Sequence, residues 1–488
     1  MWYKTEVSRI FKHVFPFMII ILLLACTGAS LAAEKPEFRA MWVSSYGPRA
    51  DVITPEGIDL LIEHAKLANL NALVVQVRKT GDALYKSDYE PRAENLALPD
   101  FDPLDYTIKR AHAAGLEVHA WLNTHKVWAG ETPPESPDHP FNKHPEWINK
   151  CITGRLDKMG PYALDPGIRE AQQHIFNVYM DVVKKYDIDG IHFDYVRYWS
   201  PDYGYSDLAV ARFNKEKGRT GIPEMTDPEW SQWRRDRVTD LVRQVYTGVK
   251  KTKPHVKVTA SVVCSRECAP EFKDTHPYRT LLQDWERWTR EGIIDAVIPM
   301  NYKSESDPEA AKLFREWIDA MVRWRHDRHA YNGMSTRNVD GFIAQIGASR
   351  KGGTDGVVGF AFNASRNRMP LATTLREAVF QTRVPVAPMP WKPARASGGP
   401  EEPAGPKELF NRAIFYASKG NDLDKAIALL KEAIAQDINF AEAHFRLGRC
   451  YLRKGMKTEA AAEFRETLEI NPSHGGALVE LERMEGAE

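Results

Sequence analysis

Eight short runs of β-branched and aromatic residues, separated by longer stretches with a helical period, constrain this 488-residue chain more than any other feature. The runs are Arg39–Ser44, Ala72–Arg78, Glu117–Asn123, Gly190–Arg197, Lys257–Val263, Ala296–Tyr302, His329–Met334 and Val357–Asn363. Between them lie Pro55–Ala68, Pro103–Ala114, Arg169–Tyr186, Trp230–Lys251, Tyr278–Gly292 and Pro308–Arg325, whose apolar positions recur at helical spacing. Strand and helix alternating eight times predict a (β/α)8 TIM barrel. Gly115 and Gly292, just ahead of the third and sixth runs, suit helix C-caps. The alternative, an open doubly wound sheet, lacks support because the first strand-to-helix turn carries neither G-x-G-x-x-G nor a P-loop.

The barrel section, residues 37–383, is longer than the ~250 residues of a minimal barrel. The surplus sits where strands run into helices, at Trp128–Asp165 and Trp199–Glu229, on the side where barrels carry their chemistry. Residues 384–406 are rich in Pro, Gly, Ala and Ser and read as a linker. Residues 407–488 read as a small all-α domain. Leu447-Gly448, Tyr451, Ala460, Phe464 and Pro472 stand at the spacing of a tetratricopeptide repeat. One period of about 34 residues earlier come Ala417, Ala426, Leu430 and Ile438, and Gly475–Met484 would cap the array. Two repeats and a cap fall short of the usual three, so this module is expected to lean on the barrel or on another chain, and to bind a protein partner.

The first 33 residues read as a signal peptide: Lys4, Arg9 and Lys12 precede an apolar run from Val14 to Ala25, followed by small residues. Two endings compete. One is cleavage near Ala32 or Ala33, and the other is a lipoprotein-type signal in which Cys26 is the lipid acceptor and gives membrane attachment. Either predicts export to the periplasm or cell envelope. Of the remaining cysteines, Cys264 and Cys268 are close enough to bridge, although small buried thiols fit equally well. No Cys-x-x-Cys pair or His-x-x-x-His spacing is present, so neither a metal nor another cofactor is expected. Lys+Arg and Asp+Glu are both 66, which leaves no charge excess for a phosphate backbone and makes nucleic acid a poor partner.

Function must come from the strand ends. In the fourth run, alternation places Gly190, His192, Asp194 and Val196 on the inner face, so Asp194 emerges at the mouth. An inward acid is costly to bury without a task, and Asp194 is the first catalytic candidate. A structural pairing with Arg197 or Arg78 is the competing reading. Gln76 and Arg78 share the inner face of the second run, and Asp82 reaches toward the cleft from the loop beyond. Trp121 and Asn123 share a face of the third, where an indole suits stacking on a sugar ring. Asn301, Tyr302 and Asn363 are hydrogen-bonding candidates at the sixth and eighth strand ends. No Gly-x-Ser-x-Gly elbow appears. A mouth of Asp, Trp, Tyr, Asn and Arg suits glycosidic bonds, whose cleavage needs paired carboxylates.

The strings Phe38-Arg39-Ala40-Met41-Trp42-Val43, Gln76-Val77-Arg78 with Gly81-Asp82-Ala83-Leu84-Tyr85, His119-Ala120-Trp121-Leu122-Asn123, Leu164-Asp165-Pro166-Gly167 and Asp189–Tyr198 resemble the glycosyl-hydrolase-like family ten. The resemblance implies a barrel acting on polysaccharide outside the cytoplasm, with peptidoglycan-type N-acetylated glycan a natural substrate. Arg39, Trp42, His192 and Arg197, which lie within these strings, join Gln76, Arg78, Asp82, Trp121 and Asn123 as candidate substrate contacts. Where many relatives look like Phe-Asp-Asp-Tyr, this chain reads Phe193-Asp194-Tyr195-Val196. A more distant likeness to chitinase-like glycosidases matches Asp189, Gly190, Asp194, Met300 and Tyr302, with Val196 where their proton-donating Glu stands. A valine donates no proton, and Glu267 is the candidate for the missing acid. The expectation is a glycoside hydrolase; the alternative is a catalytically impaired glycan-binding barrel recruited to an envelope complex through its repeats.

Overall fold

The computed structural model describes residues 35–46, 51–96, 100–156, 162–362, 368–393, 395, 405–418 and 422–485. Its strands are β1 (Phe38–Val43), β2 (Ala72–Arg78), β3 (Glu117–Asn123), β4 (Lys126–Trp128), β5 (Tyr162–Ala163), β6 (Gly190–Asp194), β7 (Lys257–Val262), β8 (Ala296–Pro299), β9 (His329–Ser335) and β10 (Gly356–Phe360). Eight of these close a barrel in the order β1-β10-β9-β8-β7-β6-β3-β2, with every neighbouring pair parallel. β4 and β5 form a separate antiparallel pair inside the insertion that follows β3. The segment read as a signal peptide, Cys26 and Asn363 lie outside the described residues.

Local chemistry sets the helix starts. Thr54-Pro55, Asp102-Pro103, Asp227-Pro228 and Asp307-Pro308 each put an accepting side chain at the N-cap and a proline, which needs no donor there, in the first turn. Gly115 and Gly292 adopt left-handed backbone (φ 69 and 68) just after their helices, as expected of C-caps. β6 stops at Asp194, short of the expected Arg197, because Tyr195 turns to φ 51.

Alternation then sorts the side chains. Phe38, Ala40, Trp42, Ala72, Val74, Trp121, Ala296, Ile298, Tyr331 and Val358 fill the barrel interior. The opposite faces pack against the helices in the main core. Gly333 leaves the space that Trp42 needs: a Cβ there would lie 2.6 Å from the indole and 2.8 Å from the Pro299 carbonyl.

One boundary differs from the sequence reading. Part of the segment expected to be a linker instead closes one end of the barrel. Val386, Met389 and Trp391 join the interior cluster, the Trp391 indole donates to Asp295 at 2.8 Å, and Lys392 pairs with the same buried carboxylate at 2.9 Å. Cys264 and Cys268 are free, as are Cys151 and Cys450, so the two do not bridge; Cys264 is a buried thiol and Cys268 is half-buried.

The repeat module comprises helices Pro406–Ser418, Leu423–Gln436, Ala441–Arg453, Lys457–Ile470 and Gly475–Glu485 around its own core. It leans on the barrel helix Pro55–Leu67. Leu60 packs into the repeat core, Arg412 reaches Asp59 at 3.4 Å, and Glu63 accepts from Tyr416 and Lys425.

Candidate active site

The interior of β6 rises from Gly190 through His192 to Asp194. His192 is fully buried, with Nδ1 2.8 Å from Thr259 Oγ1 and Nε2 2.8 Å from Ser261 Oγ. Trp42 Nε1 donates to the same Nε2 at 3.2 Å. Burial pushes its pKa well below the usual histidine range, so the imidazole is neutral and serves as a spacer under the mouth.

Asp194 sits one layer higher and is 6% exposed. Its Oδ1 accepts the Tyr195 backbone N–H at 2.6 Å, and Arg197 Nη1 stands 3.5 Å away. Burial raises its pKa above the ordinary aspartate value; Arg197, the Tyr195 N–H and Lys126 oppose that shift without cancelling it. The left-handed Tyr195 costs backbone energy, and its position beside the acid is where such strain tends to be kept.

A ladder of alternating cations and rings runs along one wall. Lys79 lies 5.3 Å from the Tyr46 ring, Lys126 4.8 Å from Tyr46 and 5.1 Å from Tyr195, and Arg197 4.9 Å from Tyr195 and 5.6 Å from Trp199. Lys126 Nζ also donates to the Tyr46 hydroxyl at 2.5 Å. Burial lowers the Lys126 pKa to about 8, while Asp194 and Asp82 both favour its charge. Asp194 and Asp82 act together on Tyr46 as well, so the two carboxylates share one electrostatic site.

The floor is held by its own hydrogen bonds. Asn123 Oδ1 accepts from Trp121 Nε1 at 2.9 Å and from Gln76 Nε2 at 3.3 Å, and Asn123 Nδ2 donates to the Lys79 carbonyl. Gln76 Oε1 takes the backbone N–H and hydroxyl of Ser45. Trp121 is 4% exposed and edge-on to His192 and Phe360, so its faces are largely spoken for. Tyr302, by contrast, is 42% exposed above Trp42 and Phe360.

Three expected substrate contacts lie elsewhere. Arg39 falls between inward Phe38 and Ala40, so it points outward, pairs with Glu37 at 2.8 Å and bonds the Thr382 carbonyl. Arg78 follows an irregularity in the β2 register and is 1% exposed. It pairs with Glu90 through two 2.7 Å bonds and donates to the carbonyls of Asn123, Thr124 and Lys126, so it neither orients Asp194 nor pairs with Asp82. Asn301 is fully buried facing the helix Pro308–Trp324, where Nδ2 donates to the Phe314 carbonyl and Oδ1 accepts from Lys303. Glu267 is exposed on the loop after β7 and makes no hydrogen bond or ion pair among the described residues.

Sequence reasoning missed Tyr46, Lys126 and Glu90. Lys126 carried a weak signal as the third residue past the inward Asn123, but nothing local announced that its charge would be buried between two tyrosine rings. Glu90 gave none, because the loop after β2 must first fold back, with Ala83 pairing against Arg78, to deliver it.

Comparison with known proteins agrees with this architecture. The glycosyl hydrolase-like 10 model matches residues 37–345 and a tetratricopeptide repeat model matches 416–474. Glycosyl hydrolase YngK of Bacillus subtilis is 30% identical over 333 residues, covering 63% of this chain and 62% of YngK, so the chain spans less than two thirds of that relative. Glycosyl hydrolase DigH of Escherichia coli K12 is 27% identical over 311 residues, covering 59% of this chain and 67% of DigH. Among solved structures, the PgaB (BpsB) glycoside hydrolase domain from Bordetella bronchiseptica superposes with a TM-score of 0.51 at 15% identity, over 70% of this chain and 99% of that one. An α-L-fucosidase from Paenibacillus thiaminolyticus gives 0.52 at 14%, over 70% and 49%. These two likenesses concern the fold. With its barrel, its inward Asp194 and a family model covering more than half its length, the chain belongs to the glycosyl hydrolase-like 10 family and carries a C-terminal tetratricopeptide module.

Proposed function

We propose that the barrel hydrolyses O-glycosidic bonds in an N-acetylated envelope glycan of the peptidoglycan type. The observation that carries this reading is Asp194: a carboxyl at the C-terminal end of a barrel strand, held above its ordinary pKa by burial and standing in a mouth with the exposed Tyr302. Such a group takes up a proton more readily than an exposed aspartate does, which is the direction a general acid needs. Glycoside cleavage needs a second carboxylate. Asp82 takes that role, because it and Asp194 both act on Lys126 and Tyr46. Glu267 is the comparator, free on the rim. Val196 is fully buried and supplies nothing to the mouth.

Export, with Cys26 as lipid acceptor or cleavage near Ala33, would bring the barrel to that substrate, and the repeats would hold a protein partner there. The test is mass spectrometry of purified glycan strands, with and without stem peptides, after incubation with the leaderless protein and its Asp194→Asn variant. Shortened strands from the wild type alone are expected. Intact strands from both, with either protein still retained by the glycan, would replace hydrolysis by the glycan-binding reading.

A further inference from the structure

Beside the mouth lies a second cleft, between the loop that follows β2 and the insertion that opens with β4. It has a volume of about 120 Å³ and is lined by Lys79, Asp82, Asn95, Trp128 and Ser136, with Glu94 at the rim. A space of that size with so polar a lining holds water. A sugar ring offers hydroxyls that replace such waters bond for bond.

The walls are built rather than incidental. Trp128 is half-buried, its Nε1 donating to the Thr132 carbonyl at 2.7 Å and its ring standing edge-on to His139 at 5.5 Å. His139 is itself anchored, with Nε2 2.8 Å from the Thr80 carbonyl. Asp82 Oδ1 is fixed by the Thr80 backbone N–H at 2.7 Å, and Glu94 Oε1 by the Glu135 backbone N–H at 2.9 Å. Each carboxylate keeps acceptor capacity beyond those bonds. Asn95 makes no side-chain hydrogen bond among the described residues. An indole with carboxylates and an amide beside it suits a pyranose: the apolar ring meets the sugar's C–H groups, and the polar groups take its hydroxyls.

The cleft is joined to the candidate active site. Asp82 lines it and also acts on Lys126 and Tyr46, which feel Asp194, and Lys79 begins the cation–ring ladder that ends at Arg197 beside Asp194. We infer that this cleft is a sugar subsite leading away from the cleavage point, with Asp82 at its inner end and Trp128 and Asn95 holding an outlying ring of the same glycan whose cleaved bond lies at Asp194, so that the protein prefers long chains. This rests on the glycan reading above and adds to it a residue that selects chain length.

The test separates the two. Binding of β-1,4-linked N-acetylglucosamine oligomers, disaccharide through hexasaccharide, is measured by calorimetry on Asp194→Asn and on Asp194→Asn/Trp128→Ala, with hydrolysis of the same series by the wild type and Trp128→Ala. Removing the indole is expected to weaken hexasaccharide binding about tenfold and to leave the disaccharide nearly unchanged. Trp128→Phe should restore most of the loss. Asn95→Ala, on an exposed loop, gives a smaller loss in the same direction and guards against a misfolded Trp128 variant. Chain-length-dependent binding that Trp128→Ala abolishes supports the subsite even if nothing is hydrolysed, in which case only the hydrolase reading fails. Equal dependence on length in both proteins, or no binding of any oligomer, overturns the subsite.

Discussion

Asp194 and Glu90 show how burial gives two carboxylates opposite fates. Both are desolvated, but Asp194 has only one guanidinium at 3.5 Å and ends with a raised pKa, whereas Glu90 has Arg78 at 2.7 Å and His174 at 3.0 Å and ends well below the usual range. Asp194→Asn should therefore lower kcat/KM by about 10²–10⁴-fold with an unchanged circular-dichroism spectrum. Glu90→Gln should leave Arg78 buried without its counter-charge and cost about 3–5 kcal/mol in a urea melt at neutral pH. Because the folded-state pKa of Glu90 is depressed, its stabilisation is present above the unfolded value of ~4.3 and is lost as pH falls below it, so the gap between wild type and variant should close in acid. Lys126 loses its charge as pH passes about 8, which removes a cation from between Asp194, Asp82, Tyr46 and Tyr195, with Lys79 beyond. The pH profile of kcat/KM on a short oligosaccharide should fall above that value in the wild type, and Lys126→Met should lack that limb.

Elements were legible wherever a local rule fixed them. Cap-proline pairs such as Asp102-Pro103 started helices where expected, and alternation alone put Asp194 inward and, had it been applied to β1, would have turned Arg39 out. Strand ends were less legible, because β6 stops on a single left-handed residue that no hydrophobic pattern marks. The segment after residue 383 is hard to read for a different reason. Its proline-rich composition resembles a flexible spacer, yet Val386, Met389 and Trp391 enter the barrel cluster and Lys392 and Trp391 satisfy Asp295. Trp391→Ala should cost about 2–4 kcal/mol in thermal or chemical unfolding through lost contact and an under-bonded buried carboxylate. A melt indistinguishable from wild type would return the segment to the status of a spacer.

At the scale of the whole molecule, the repeats rest on the barrel helix Pro55–Leu67 through Arg412 to Asp59 and through Tyr416 and Lys425 to Glu63. Glu63→Ala should loosen that seam and speed amide hydrogen exchange in Pro55–Leu67 and Pro406–Ser418, with hydrolysis of short oligosaccharides unaffected. The sequence by itself determined the eightfold alternation, the repeat period and the inward acid on β6. Those properties are local, since a period of two or 3.6 residues assigns each side chain a face wherever the neighbours come from. Tertiary structure alone decided that Arg78 serves Glu90 rather than Asp194, that Lys126 lies between Tyr46 and Tyr195, and that a spacer-like segment seals the barrel. Which charges meet, and how far water is kept from them, depends on distances between residues far apart in the chain, and those distances exist only once the barrel has closed.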